Sequence, residues 1–371
     1  MQYRRMPIEI ESPEGLGYEK IHCNLSESSF TDQRLSDLNI SINNLLLFYG
    51  DHKGKPELRE LIASETGLSP NDILITPGAA PALFIVNTSL LEKNDHIVIA
   101  KTNYATNIET PRAIGCNISL LNLRFEDNYA IDVNELENVI KPETKLVSLT
   151  YPHNPTGVTI SEETLRRIID IIEKKGIYLL LDETYRDMSF QPPPPIASTL
   201  SPKVITVTSM SKSYGLPGIR MGWIICKDAK LMETFLAAKE QIFITNSVVD
   251  EEIAYQYLLN KKKFFPEVRK TLLQNFDILK KFMQEQSFLE WVEPQGGCVC
   301  FPRIKKDVAI DTKKFYDSLL NKYSTYVGRG GWFEEDDRYM RIGYGWDKKE
   351  KLEKGLGNII KAIEESVVSG E

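Results

Sequence analysis

Seven short runs of almost uninterrupted apolar residues constrain this chain more than any other feature. They are ILIT (73–76), HIVIA (96–100), ISLLNL (118–123), KLVSLTY (145–151), IYLLLD (177–182), KVITVT (203–208) and GWIIC (222–226). Runs of this length read as strands, and apolar residues at nearly every position call for burial on both faces. Helical patterns lie between them. In GKPELRELIASETG (54–67), Pro56 stands near a helix start and Leu58, Leu61 and Ile62 recur at helical spacing. APALFIVNTSLLE follows ILIT in the same way. In SEETLRRIIDIIEKKG (161–176), Ser161 can cap the start, Glu162 and Glu163 suit its dipole, and Gly176 suits its end. Strand, helix and strand at this spacing mean βαβ units. The expected fold class is α/β, a mostly parallel central sheet with helices on both faces.

From about residue 249 the texture changes to long charged amphipathic helices: EVRKTLLQNFDILKKFMQEQ, IDTKKFYDSLLNKY and DKKEKLEKGLGNIIKAIEES. The short strands GGCVCFPRI (296–304) and RYMRIGY (338–344) fall among them, which predicts a smaller α+β domain. The expected division is an N-terminal arm over residues 1–44 that contributes to the small domain, a large domain over 45–285, and a C-terminal small domain over 286–371. A chain of 371 residues is long enough for this arrangement. The net charge of −7 argues against nucleic acid as a partner. No apolar run approaches membrane-spanning length, so no membrane is expected as a partner. MQYRRMPIEIESPEG has two arginines but no apolar core after them, and does not read as a signal peptide. The five cysteines, Cys23, Cys116, Cys226, Cys298 and Cys300, show no metal or disulfide spacing. Cys298 and Cys300 read as alternating positions of one strand. No metal and a reducing cytoplasm are expected. The tetraproline at 192–195 reads as a stiff extended surface loop.

In an α/β sheet, ligands bind beyond the carboxyl ends of the strands. After ILIT come Gly78, Ala79 and Ala80, small residues at a helix start whose free N–H groups suit an anion. After KLVSLTY comes the polar turn His153-Asn154-Pro155-Thr156-Gly157, in which His153 reads as an ordinary turn histidine. IYLLL is followed by Asp182, Glu183 and Tyr185. KVITVT is followed by Ser209, Ser211 and Lys212, with Arg220 eight residues further on. One crevice would then hold an anion nest, an amide, a carboxylate, a phenol, an amine and a guanidinium. Pyridoxal phosphate asks for such a set: an amine for a Schiff base, an anion site, a carboxylate for the ring nitrogen, and donors to the ring oxygen.

Asn154-Pro155-Thr156-Gly157, Asp182-x-x-Tyr185 and Ser209-x-Ser211-Lys212 followed by Arg220 resemble the class I/II aminotransferase family of fold-type I pyridoxal-phosphate enzymes. The similarity runs from about Tyr49 to the C-terminal helix. It implies pyridoxal 5'-phosphate held as an internal aldimine on Lys212, which then shuttles the substrate proton through a quinonoid intermediate. Lys212 must be unprotonated for this, and nearby cations would lower its pKa. The resemblance further implies that Asp182 pairs with the pyridinium nitrogen and that Tyr185 and Asn154 bond the ring oxygen. Ser209, Ser211, Arg220 and the backbone of Gly78, Ala79 and Ala80 would hold the phosphate. Tyr104, in KTNYAT, would stack on the ring. Tyr49, in FYGDHKGKPELRELIA, would reach the neighbouring subunit's phosphate, which implies a homodimer. Arg341, in RYMRIGYG, would grip the substrate α-carboxylate, a task that suits a planar fork.

The N-terminus departs from the common family pattern. IHCNLSESSFTDQRLSD lacks the usual glycine-containing loop and resembles the subgroup with an N-L-[SA]-E-[ST] stretch, which includes capreomycidine synthase. Glu9, Glu11, Glu14 and Glu27 make the arm acidic, and Glu9 and Glu27 are candidates to hold a basic side chain. Arg329, in VGRGGWF, stands either toward a substrate or in solvent. Two enzymatic readings follow. One is an aminotransferase on an L-amino acid, with the acidic arm pointing to a basic one, and with a 2-oxo acid as partner. The other is a lyase or cyclase of the capreomycidine-synthase kind, acting by β- or γ-elimination or replacement on a hydroxylated arginine or a related amino acid. A pyridoxal-sensing regulator would need a DNA-binding module, and the residues before Tyr49 are neither basic nor patterned for one.

Overall fold

Each of the seven apolar runs forms a strand of one sheet in the computed structural model, which describes residues 1–368. The strands are β1 (Ile73–Thr76), β2 (His96–Lys101), β3 (Asn117–Asn122), β4 (Thr144–Thr150), β5 (Tyr178–Asp182), β6 (Val204–Ser209) and β7 (Gly222–Cys226). Their order across the sheet is β1-β7-β6-β5-β4-β2-β3. The pairings from β6 through β3 are parallel. β7 runs antiparallel to both its neighbours, β1 and β6.

The alternation of side chains along each strand feeds two separate cores. Val98, Ala100, Val147, Leu149, Leu179 and Leu181 pack with Ile168 and Ile172 of the helix Glu162–Lys175. Ile97, Ile99, Leu146, Leu180, Ile205 and Ile224 pack on the other face against Leu83 and Val86 of the helix Ala79–Leu90 and Phe235 of Ala229–Phe243. Truncating Leu179 or Leu180 to Ala would open a void on opposite faces, at about 2–5 kcal/mol each. Burial on both faces fails at β3. It is the sheet edge, and only Leu121 in it is fully buried. The helix over 162–175 is punctuated as its sequence predicts. Ser161 accepts from Thr164 N, and Gly176 closes it at φ 68°.

The C-terminal strands Val299–Cys300, Gly328–Arg329 and Met340–Gly343 form a small antiparallel sheet with Met340–Gly343 in the middle. The helices Lys261–Glu285, Thr312–Asn321 and Lys349–Ser366 supply Leu272, Phe276, Phe315, Leu352 and Ile359 to the same core. The strand around Cys298 is shorter than its sequence suggests, yet both Cys298 and Cys300 are fully buried. The arm joins this unit. Cys23–Asn24 pairs in parallel with Thr325–Tyr326, and Gly343 N donates to Leu25 O at 2.7 Å. Gly343 has to be glycine for this, because a Cβ there would collide with the Glu27 carbonyl. Residues 24–30 are thereby laid across the carboxyl end of the large sheet. The tetraproline lies in an extended, partly exposed loop. Among the described residues no helix is long and apolar enough to cross a membrane.

Candidate active site

The strand ends converge on a cavity of about 290 Å³ between the sheet and the arm. Its walls include Ala79, Ala80, Tyr104, Asn154, Asp182, Tyr185, Ser209, Ser211, Lys212, Arg220 and Arg341, with Glu9 and Glu27 on the arm side. Of the residues expected to hold cofactor or substrate, only Gly78 and Tyr49 are not on this wall.

Gly78 lies directly behind it. It precedes the helix Ala79–Leu90 at φ 97°, and a Cβ there would stand 2.8 Å from Arg220 Nη2. Glycine is needed both for that backbone angle and to admit the guanidinium. Arg220 Nη1 also donates to Ser211 Oγ at 3.3 Å, and Ser211 N donates to Ser209 Oγ at 3.1 Å. A helix N-terminus, two hydroxyls and an exposed guanidinium thus meet at one spot, a donor set made for a phosphate.

Asp182 ends β5 and is buried, its Oδ1 accepting from Thr184 N at 3.0 Å. Burial pushes its carboxyl pKa up, so it gains from any cationic partner. Tyr185 is buried and donates its hydroxyl to Ser28 O at 2.9 Å. Arg341 lies on the middle C-terminal strand and is 4% exposed. Its Nη2 donates to Ser26 O at 2.7 Å and its Nη1 to Asn154 Oδ1 at 3.2 Å, while its buried Nε has no partner. Trp332 and Phe333 stack against the guanidinium, 5.9 and 5.2 Å from its carbon.

Lys212 follows β6, and its Nζ donates to Ser28 Oγ at 3.1 Å. Its pKa is lowered, but not chiefly by cations as the sequence suggests. Burial is the main cause, and Arg341 adds a smaller push against the carboxylate of Glu27. Burial likewise raises the pKa of Glu27. Tyr104 precedes the helix Ala105–Ile114, and its hydroxyl lies 3.4 Å from Glu9 Oε1.

Several side chains carry no role in the sequence reading yet line the cavity: Ser26, Ser28, Glu14, Thr184 and Trp332. The serines belong to NLSESS, whose departure from the family pattern was the available signal; their contacts were not readable from it. Glu11, one of the four arm acids, is already committed, accepting from Trp332 Nε1 at 2.6 Å. Arg329 is tied to Asp337 Oδ2 at 2.7 Å over the Tyr316 ring. It is not on the cavity wall and does not simply face solvent. His153 is buried off the cavity, paired with Thr156 Oγ1 at 2.8 Å, with burial lowering its pKa to about 4. Tyr49 is 82% exposed on the outer surface, in a row with Leu46, Leu47 and Phe48.

A sequence model of the family described as aminotransferase class I and II matches residues 24–359. The chain is 27% identical to an aspartate aminotransferase of Pyrococcus horikoshii, over 85% of this chain and 83% of that one. It is 25% identical to a capreomycidine synthase of Streptomyces vinaceus, over 87% of this chain and 82% of that one. A solved PLP-dependent aminotransferase from Streptococcus suis superposes with a TM-score of 0.91 over the whole of both chains, at 26% identity.

Proposed function

Because the chain belongs to the class I and II aminotransferase family and is a pyridoxal phosphate-dependent enzyme, we propose that it transfers the amino group of an L-amino acid to a 2-oxo acid. The residues fit the cofactor. Three cationic or hydroxyl-bearing positions and a helix N-terminus gather at one end of the cavity, and a buried carboxylate of raised pKa stands at the sheet end. When bound, the cofactor supplies a ring that accepts an electron pair from the substrate carbon.

The proposed roles are these. Ser209, Ser211, Arg220 and the amides of Ala79 and Ala80 hold the phosphate; the Gly78 amide, also expected there from the sequence, is already given to Thr76 O at 2.8 Å. Asp182 holds the ring nitrogen, Tyr185 and Asn154 the ring oxygen, and Tyr104 covers the ring face. Lys212 Nζ takes the proton from the substrate Cα, and its burial-lowered pKa keeps the amine basic and uncharged for this. Arg341 grips the α-carboxylate, with Asn154 and Ser26 O fixing the plane of its fork. The observation that carries the reading is the single tripeptide Ser26-Glu27-Ser28, which touches Lys212, Tyr185 and Arg341 at once.

Glu9, Glu14 and Glu27 all line the arm side of the cavity. We take this as support for a substrate with a basic side chain. The same acids, and the Ser28 hydroxyl against Lys212, favour a second reading, a lyase or cyclase acting on a hydroxylated basic amino acid. We also propose a homodimer in which Tyr49 reaches the partner's phosphate site. The exposed row Leu46–Tyr49 is apolar surface of the kind that subunit contacts cover. The division into arm, large domain and small domain draws support from the C-terminal core. The helix Lys261–Glu285, however, gives Val268, Leu272 and Leu279 to that core and only Phe264 and Phe265 to the packing beside β1 and β7, which supports a junction inside the helix rather than at residue 285. All five cysteines are unpaired, which suits a reducing cytoplasm.

The test is to mix the holoenzyme with single amino acids, without 2-oxo acid, and to follow the visible spectrum and product mass together. The panel includes arginine, γ-hydroxyarginine, lysine, aspartate, glutamate, alanine and the aromatics. Conversion of the cofactor to its amine form with one equivalent of 2-oxo acid identifies an aminotransferase and its donor. Repeated turnover with the aldehyde form retained, and the substrate losing water or another group, identifies a lyase or cyclase.

A further inference from the structure

A second cavity lies behind the cofactor site. It measures about 80 Å³ and shares one wall residue with the main cavity, Thr184. The shared wall is tied to the chemistry on both sides. Thr184 N donates to Asp182, and Thr184 O accepts from Ser213, the residue after Lys212, at 2.9 Å.

The body of this cavity is apolar: Leu61, Ile62, Ile196, Trp223, Ile225 and Leu258. At its inner end stands Glu183, buried at 4% exposure. Its Oε1 accepts from Ala197 N at 2.9 Å. Its Oε2 is buried with no hydrogen-bond partner, and the nearest guanidinium, that of Arg186, is 3.7 Å away. Thr184 Oγ1 is likewise buried and unpartnered. At the mouth, Asp187 is already engaged by Lys261 at 2.7 Å and by the Tyr214 hydroxyl. Three carboxylates, Glu65, Glu183 and Asp187, thus face two cations, Arg186 and Lys261. Glu183 Oε2, ion-paired to Arg186 at 3.7 Å but receiving no hydrogen bond, stands at the closed end. Burial raises the pKa of Glu183 to about 7 against the opposing pull of Arg186 and the Ala197 amide, so a further cation beside it would favour its ionised form. A buried carboxylate oxygen without a donor is costly and rare, and a small apolar chamber ending in one is built to receive a donor with a hydrocarbon body.

We propose that this cavity is a second ligand site that takes a small aliphatic ammonium ion, its N–H on Glu183 Oε2 and its alkyl body against Leu61, Trp223 and Leu258. The site is distinct from the substrate cavity, and its occupant touches the residue whose amide holds Asp182.

The test uses N,N-dimethylpropylammonium, a tertiary amine that has one N–H and cannot form a Schiff base with the cofactor. Titrated into the holoenzyme in a calorimeter, it should bind saturably, one per chain, in the millimolar range expected of so small a ligand. The anion 3-methylbutanoate, of similar size, should not bind. Glu183→Gln keeps the acceptor for Ala197 N and should weaken the ammonium ion by roughly tenfold or more. Ile62→Phe fills the chamber and should abolish binding while the protein still melts cooperatively. No saturable binding would overturn the proposal. So would binding that survives both variants, or binding lost instead in Glu27→Gln, which would place the probe in the substrate cavity.

Discussion

Replacing Arg341 separates its charge from its shape. The guanidinium is 4% exposed and spends one nitrogen on Ser26 O at 2.7 Å and another on Asn154 Oδ1 at 3.2 Å. Those two bonds orient the plane in which it would meet a carboxylate. In Arg341→Lys the charge stays, but one ammonium cannot hold both acceptors and still present two parallel donors. The loss is about one charge-assisted hydrogen bond, roughly 1.5–3 kcal/mol, which is about 10- to 150-fold in kcat/KM. In Arg341→Gln the charge is lost as well. Removing a buried charged partner costs about 2–5 kcal/mol, or roughly 30- to 5,000-fold. The assay is the single-turnover half-reaction, followed by loss of the visible band, with an amino acid and with the same amine lacking its α-carboxylate. Only the amino acid should slow. A second readout comes from Lys212, whose pKa is lowered mainly by burial and further by Arg341. Arg341→Gln should therefore move the acidic limb of the rate profile, where protonation of Lys212 stops the reaction, to higher pH, whereas Arg341→Lys should leave it in place. If both variants slowed the carboxylate-free amine as much as the amino acid, Arg341 would be a structural cation that holds residues 24–30, and the assigned role would be wrong.

Four further outcomes are expected. Lys212→Ala should lose the visible absorbance of the lysine-bound cofactor while the melting curve stays cooperative; survival of that band would remove the central assignment. Tyr49→Ala and Lys212→Ala should each be nearly inactive alone, and mixing them should restore about a quarter of the parental activity, since random pairing of subunits builds one intact site in half of the dimers. Restoration would be absent if Tyr49 served its own chain. Replacing Glu9 and Glu27 with Gln should raise KM for arginine and lysine and leave KM for alanine unchanged, which steady-state kinetics would show. His153 has a folded pKa of about 4 against an ordinary value near 6.5, so the unfolded chain takes up the proton first as pH falls. Stability should be full above about pH 6.5 and drop by up to about 3 kcal/mol by about pH 4, and His153→Gln should remove that part of the dependence in denaturant titrations.

The large sheet was legible because burial on both faces writes itself into each strand as an unbroken apolar run, and because the side chains that follow β1, β4, β5 and β6 are local to those runs. What sequence patterns cannot carry is direction and distant contact. The residues of β7 read the same whichever way the strand points, so its reversal was invisible. β3 has an apolar stretch but pairs on one side only, and its exposure follows from its place in the sheet order. Ser28 stands 157 positions from Tyr185 and 184 from Lys212, and the pairing of Cys23–Asn24 with Thr325–Tyr326 brings its segment over the site. Trp332 and Glu11 meet across a still longer gap of 321 positions. The cause given for the lowered pKa of Lys212 had the wrong weight for a related reason: burial is a property of the assembled fold, whereas neighbouring charges can be guessed from motifs.

The reversed strand has a consequence for how such a chain comes into being. β7 is the last strand of the large sheet to leave the ribosome, and it is inserted between β1 and β6. Gly222 pairs with Thr76 on one side and Ser209 on the other, and a Cβ there would stand 2.7 Å from Gly78 C. The two halves of the phosphate cradle, separated by more than a hundred residues of chain, are therefore held side by side by a wedge that arrives after both. Such long-range closure is slow relative to local helix formation. A nascent polypeptide ending before Gly222 would own every group of the anion nest except Arg220's final setting, yet have no nest. Capture of the phosphate by this nest therefore depends on the sheet being complete.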